Sequence, residues 1–217
     1  MNGRVSRRVS WLCTAAAFVL AGSAYGAAFT NGSFEAGSID PGVFTTLGTG
    51  STTITGWTVR SAGIDYIGTY WVAQDGARSV DLSATAAGGV EQTFDTETGV
   101  HYTVTFYFSG NPTGCGAAVK GMDVGATGNP SQHYTFDVTG HTQASMGWRK
   151  ETYAFVAAGT STTLFFQSTE NSGCGPAVDN VSMVTHPVPA LSPAMGAVLA
   201  LLIAMLALPA LGRRAAV

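Results

Sequence analysis

The chain has 217 residues, of which 46% are hydrophobic and only 11% charged, with a formal net charge of −3. Five of its ten basic residues, Arg4, Arg7, Arg8, Arg213 and Arg214, lie near the two ends, whereas all 13 acidic residues lie between them; the central body therefore sets 5 cations against 13 anions, a charge of −8. Nucleic acids are gripped by basic patches that neutralise phosphates, so this balance excludes that partner class and suits neutral glycans, cations or plain solubility.

In chain order, the first feature is Arg4, Arg7 and Arg8 ahead of an apolar stretch from Trp11 to Leu20 and a small-residue region from Ala21 to Ala28. That arrangement predicts a signal peptide over residues 1–28, helical in character, cut after Gly26 or Ala28 and serving ordinary secretion across the inner membrane. Cys13 leaves with it.

From residue 29 onward the hydrophobic period is 2, and blocks of it are separated by Gly, Asn, Asp, Pro and Ser clusters. Thr53–Val59, Ser79–Leu82 and Val90–Phe94 are short strand candidates. Tyr102, Val104, Phe106 and Phe108 alternate with polar neighbours, as do Tyr134, Phe136 and Val138, then Tyr153 and Phe155, then Leu164 and Phe166. Val178–Val184 closes a set of at least eight strands with no long helix-period run among them. Short antiparallel strands in this number predict an all-β domain over residues 29–186, a jelly-roll β-sandwich flanked by the N-terminal signal helix and a C-terminal hydrophobic helix. Trp57 and Trp148 are expected in its core.

With Cys13 removed, Cys115 and Cys174 form an even pair in an oxidising compartment, each framed by glycines, and a disulfide between two loops is expected. Residues 187–194 read as a linker. Residues 195–217 hold an apolar run from Met195 to Leu211, interrupted by Pro209, and then Arg213 and Arg214. A span of the bilayer takes about 20 apolar residues, and the terminal arginines stay on the cytoplasmic side, so this segment is expected to enter the membrane as a helix.

Several segments resemble the choice-of-anchor C family: Asn31-Gly32-Ser33-Phe34-Glu35, Gly56-Trp57, Ile64-Asp65-Tyr66-Ile67, Trp71, Asp75-Gly76, Ser79-Val80-Asp81-Leu82, Gly110-Asn111-Pro112 and Gly175-Pro176-Ala177-Val178-Asp179-Asn180-Val181. Those are bacterial surface proteins related to plant cell-wall proteins of poorly defined function with galactose-binding-like domains. The resemblance implies a galactose-binding-like sandwich. Val188-Pro189-Ala190-Leu191-Ser192, followed by the apolar run and arginines, resembles the IPTL-type carboxy-terminal sorting signals of Gram-negative bacteria, although Ala190 and Pro193-Ala194 depart from that pattern. It implies an exosortase-like sorting enzyme as partner and a destination at the cell envelope, cell surface or extracellular matrix.

The resemblance also places Glu35 and Asp179 where such sandwiches tie the first strand to the last through one structural calcium ion, with Gly37 and Ser38 able to add carbonyl oxygens. The alternative is that both acids accept backbone hydrogen bonds at strand ends. Tyr66, Tyr70 and Trp71, close together and bounded by acids, suggest a glycan platform with Asp65, Asp75 and Asn111, because sugar sites join flat apolar surfaces to a few fixed polar groups. His101, His133, His141 and His186 have no metal-ligand spacing, and no nucleophile elbow or phosphate loop occurs. The expectation is a secreted, surface-targeted module without catalysis that binds carbohydrate of the envelope or matrix, the alternative being a structural surface protein with no glycan ligand.

Overall fold

The computed structural model describes residues 28–186, and the expected signal peptide, linker and C-terminal hydrophobic segment lie outside the described residues. Eleven strands follow one another: β1 Phe44–Leu47, β2 Thr58–Ser61, β3 Ile64–Ile67, β4 Ser79–Asp81, β5 Gly88–Asp95, β6 His101–Gly110, β7 Val119–Ala126, β8 Gln132–Asp137, β9 Arg149–Val156, β10 Ser161–Ser168 and β11 Pro176–His186. They form a six-stranded sheet in the order β1-β3-β4-β11-β6-β9 and a five-stranded sheet in the order β2-β5-β10-β7-β8. Every pairing between these strands is antiparallel. The expected all-β sandwich is what the chain forms, with no helix among the described residues.

Period-2 alternation explains the packing. Tyr102, Val104, Phe106 and Phe108 of β6 meet Leu164 and Phe166 of β10, Phe136 of β8 and Phe155 of β9 in one buried cluster. Phe106 sits edge-on to Phe166 at 5.2 Å between ring centres, within the range that favours aromatic pairs. Trp57 lies in this core as expected, 2% exposed, with its indole N–H donating to Asn31 O at 2.9 Å.

Three strands were not in the expected set. β7 escapes the pattern because its inward positions include Lys120 and its outward ones Gly121 and Gly125, so the alternation of Met122, Val124 and Ala126 is diluted. β1 and β3 are only four residues long, below the window in which a period shows. Thr53–Val59 begins as a turn, and its strand starts at Thr58.

A second, smaller cluster covers part of the outer face of the six-stranded sheet. Ile67 and Ala177 point outward between core residues Tyr66 and Val178, and Trp71 and Met146 from two loops pack over them, with Tyr70 and Trp148 at the margin. Trp148 is thus half-buried on the outside and not in the main core as expected; its indole N–H donates to Val72 O at 3.0 Å.

Candidate functional site

Because Ile64, Tyr66 and Val80 face the core, the residues between them face out. Thr46 of β1 lies opposite Asp65 of β3, and Asp65 opposite Asp81 of β4. The same row continues through Ala177 of β11 to Ser109 of β6. Exposure falls steadily along it: Thr46 is exposed and Asp65 half-buried, while Asp81 is 1% and Ala177 and Ser109 each 0% exposed.

The first three residues of this row floor a cleft of about 280 Å³. One wall is Phe44, Ile67 and Tyr70; the other is Asn111, Thr113, Cys115, Gly173 and Cys174, from the two connections that cross between the sheets at that end. Cys115 and Cys174 form the expected disulfide, with Cα atoms 5.5 Å apart. Lys120 points inward beneath this wall and donates to Cys115 O at 2.8 Å, and burial pulls its pKa down. Phe44 is 45% exposed, and its ring stands edge-on to Tyr70 at 5.2 Å.

The polar groups are held in fixed orientations. Thr46 donates to Asp65 Oδ1 at 2.5 Å. Asp81 accepts from Asn111 Nδ2 at 2.9 Å, Ser83 N at 3.0 Å and Gly175 N at 2.9 Å. Asn111 Oδ1 in turn accepts from Thr113 N at 3.1 Å and Thr113 Oγ1 at 2.7 Å, which fixes which way its amide points. Burial raises the pKa of Asp65, against the Thr46 hydroxyl that lowers it. Burial also pushes Asp81 up to about 7, aided by the negative charge of Asp65 and opposed by its three donors.

Of the expected platform residues, Asp65, Tyr70 and Asn111 meet in this cleft. Tyr66 and Trp71 do not form an exposed platform. Tyr66 is 0% exposed in the main core, its hydroxyl donating to Phe34 O at 2.6 Å. Trp71 is 4% exposed in the outer cluster, its indole N–H donating to Ser79 Oγ at 2.8 Å. An indole ring with a buried partner for its one donor gains more from packing than from solvent. Asp75 is exposed in the β3–β4 loop and absent from the cleft lining. Phe44, Thr46, Asp81 and Thr113 were not anticipated. The alternation Phe44-Thr45-Thr46-Leu47, with an aromatic opposite the buried leucine, was the available signal for the first two.

Glu35 and Asp179 take up the role of hydrogen-bond acceptors. Glu35 Oε1 accepts from Ala77 N at 2.8 Å and Arg78 N at 2.7 Å. Asp179 Oδ2 accepts from Gln74 N at 2.7 Å and Asp75 N at 3.0 Å, and its Oδ1 from Asn180 N at 2.6 Å. Burial pushes Asp179 up to about 7 against these donors. Both acids therefore clasp one loop, residues 74–78, between the first and last segments of the fold. Gly76, at φ 62°, belongs to the same knot: a Cβ there would meet the Glu35 carboxyl at 2.5 Å. Val181 N donates to Gly32 O at 2.8 Å, and a side chain on Gly32 would collide with the Val181 carbonyl.

Calcium takes six to eight oxygen ligands, whereas here amide N–H groups point at the carboxylates and the nearby cation is the Arg78 guanidinium, donating to Glu35 O at 2.8 Å. No group of three or more His, Cys, Asp or Glu side chains able to hold a metal occurs among the described residues. The donor set fits the hydrogen-bonding role of the two acids; beside it, Ser38 N and Oγ both donate to Thr53 O. His101 and His186, far apart in sequence, are brought directly opposite each other on β6 and β11.

The family whose description reads "protein of unknown function (DUF642)" matches residues 27–184. The chain belongs to that family. This DUF642 chain is 38% identical over 160 residues to Halomucin of Haloquadratum walsbyi, a match that covers 71% of the chain and 2% of Halomucin, so it spans a small fraction of that relative's length. Its fold is similar to TmCBM61 in complex with β-1,4-galactotriose, at a TM-score of 0.42 and 15% identity over 74% of this chain and 99% of that one. It is likewise similar to the CBM22-1 xylan-binding domain from Paenibacillus barcinonensis, with a TM-score of 0.43 and 16% identity over 70% of this chain and 97% of that one. A CBM35 from Cellvibrio japonicus gives 0.42 and 17%, over 55% and 82%. The strand order of this DUF642 chain by itself defines a two-sheet sandwich.

Proposed function

We propose that this protein is a non-catalytic carbohydrate-binding module and that the cleft beside Phe44 is its binding site. One observation carries the reading: the cleft joins an aromatic edge, Phe44 against Tyr70, to polar groups fixed by their own hydrogen bonds. Sugars present apolar C–H faces and hydroxyls that donate and accept, and a site with a flat ring and oriented oxygens and amides matches both. The groups are ordered before the ligand arrives, which lowers the entropy lost on binding. The body charge of −8 favours a neutral glycan over a polyanion. Both oxygens of Asp81 are engaged by protein donors, which suits a fixed, non-reacting group in such a site.

The wider assignment follows from the sequence ends. We place the protein outside the cytoplasm of a Gram-negative bacterium, at the envelope, surface or matrix. Residues 1–28 direct export, 187–194 act as linker, and 195–217 serve as a membrane-inserted sorting segment read by an exosortase-like enzyme, as the resemblance of the tail to IPTL-type signals implies. A structural calcium between Glu35 and Asp179 belongs to the choice-of-anchor C resemblance and is decided by chelation.

The test is a binding screen of the purified protein against neutral polysaccharides, with calcium and again with chelator. Saturable binding is expected, and Phe44→Ala, which removes a half-exposed ring, is expected to weaken it by about tenfold, one 1.4 kcal/mol step, while leaving the melting temperature unchanged. Folded protein that binds none of the panel would replace this reading with that of a structural surface component.

A further inference from the structure

Granting the carbohydrate-binding reading, the shape of the cleft specifies which part of a glycan enters it. We infer that the cleft is closed at its inner end and receives a chain terminus or a single branch sugar, not the interior of a polysaccharide.

The floor row provides the argument. Neighbouring strands are about 4.8 Å apart, so Thr46, Asp65 and Asp81 mark three successive steps across the sheet, starting from β1, which is an edge strand. Exposure drops from Thr46, exposed, through Asp65, half-buried, to Asp81 at 1%. A groove that let a chain pass through would have to emerge over β11 and β6. There Ala177 and Ser109 are each 0% exposed. Met146 packs on Ala177, and the Ser109 hydroxyl donates to Met146 O at 2.6 Å, so the loop before β9 is pinned down as a stopper. The two remaining sides are the aromatic wall and the disulfide-joined loops, which leaves the β1 edge as the mouth. The volume, about 280 Å³, lies at the lower limit of the range of about 300–1,000 Å³ for pockets that enclose drug-sized ligands, and suits a short sugar unit.

Polar groups are distributed to match. A sugar entering from the edge passes Phe44 first, meets Asp65 halfway, and ends near Asn111, whose amide Asp81 and Thr113 hold in place. An isolated terminal ring has hydroxyls free on several sides, whereas an interior ring has two of its positions tied into linkages and needs an exit at both ends.

The experiment uses the full-length protein and neutral oligosaccharides of one to six units from galactan, xylan, mannan and glucan, with the parent polymers, by calorimetry. For a closed cleft, affinity reaches its plateau at one or two units and changes by less than about threefold up to six. On an unbranched polymer, binding capacity per gram then rises in proportion to the new ends made by limited endo-hydrolysis. Affinity that climbs at least tenfold with chain length, or capacity on the unbranched polymer that follows its mass and ignores new ends, overturns the inference and leaves the carbohydrate-binding reading standing. Binding to no member of the series overturns both.

Discussion

Asp81 shows how one residue's environment sets a property of the whole chain. Its carboxyl is pushed up to about 7 by burial, as is that of Asp179, whereas in the unfolded chain an aspartate titrates near about 3.9. Between those values the folded protein holds protons that the unfolded chain has released. Stability then falls as pH rises, since the unfolded state binds fewer protons. The contribution is full below about pH 4, declines toward about pH 7 and is flat above. Denaturation midpoints are accordingly expected to be higher at pH 5 than at pH 8, and Asp81→Asn should shrink that difference; equal midpoints for the parent protein would refute the assignment. Trp71 makes the complementary point. Removing its buried indole in Trp71→Ala leaves a cavity and an unpaired Ser79 hydroxyl, and thermal melts should show a loss of about 3–5 kcal/mol. That cost separates it from Phe44, which is half-exposed and whose truncation is expected to be silent in the melt.

At the level of elements, the fold is closed by short loops clasped by acids. The loop of residues 74–78 is gripped by Glu35 from before β1 and by Asp179 of β11 through four amide hydrogen bonds, two to each acid. A ligand that binds only the folded state raises its melting temperature by mass action. Because the carboxylates already have donors, adding a chelator is expected to leave the melt unchanged, while Glu35→Ala lowers it by leaving the Ala77 and Arg78 amides without that acceptor. A fall in melting temperature on chelation, reversed by calcium, would establish the ion. The sequence made this knot partly legible: Gly32, Glu35, Gly76, Asp179 and Asn180 all stand in the segments that carried the family resemblance. Their partners were not legible, since the amides that satisfy them belong to the backbone, which has the same chemistry at every position.

For the molecule as a whole, the disulfide joins two connections that cross between the sheets at one end of the sandwich, across 59 positions of sequence. In the chain-entropy account such a crosslink stabilises by restricting the unfolded chain, by about 4 kcal/mol for a loop of this length. Reduction under native conditions should lower the free energy of unfolding by up to that amount, read as a lower denaturation midpoint. On the proposed function it should also weaken glycan binding, because Cys115 and Cys174 line the cleft. An unchanged affinity after complete reduction would show that the wall stands without its crosslink.

The all-β class, the main core and the cysteine pair were legible in the residues alone. Period-2 alternation in β6, β8, β9 and β10 reports burial directly, because successive side chains on a strand face opposite sides. The cluster of aromatics bounded by acids brought forward Asp65, Tyr70 and Asn111. What surrounds them depends on long-range strand pairing. Thr46, with Phe44 two residues before it, and Asp81 come beside Asp65 through strand pairing over 19 and 16 positions, Thr46 with Asp65 and Asp65 with Asp81 as neighbours in one row. Tyr66 and Trp71, one and six positions after Asp65, turn instead into two separate cores. Proximity in sequence says little about which face of a sheet a side chain takes or which loop covers that face. Those are settled by register and by the contacts of distant segments, and in this protein they turn a patch of the outer sheet into a cleft.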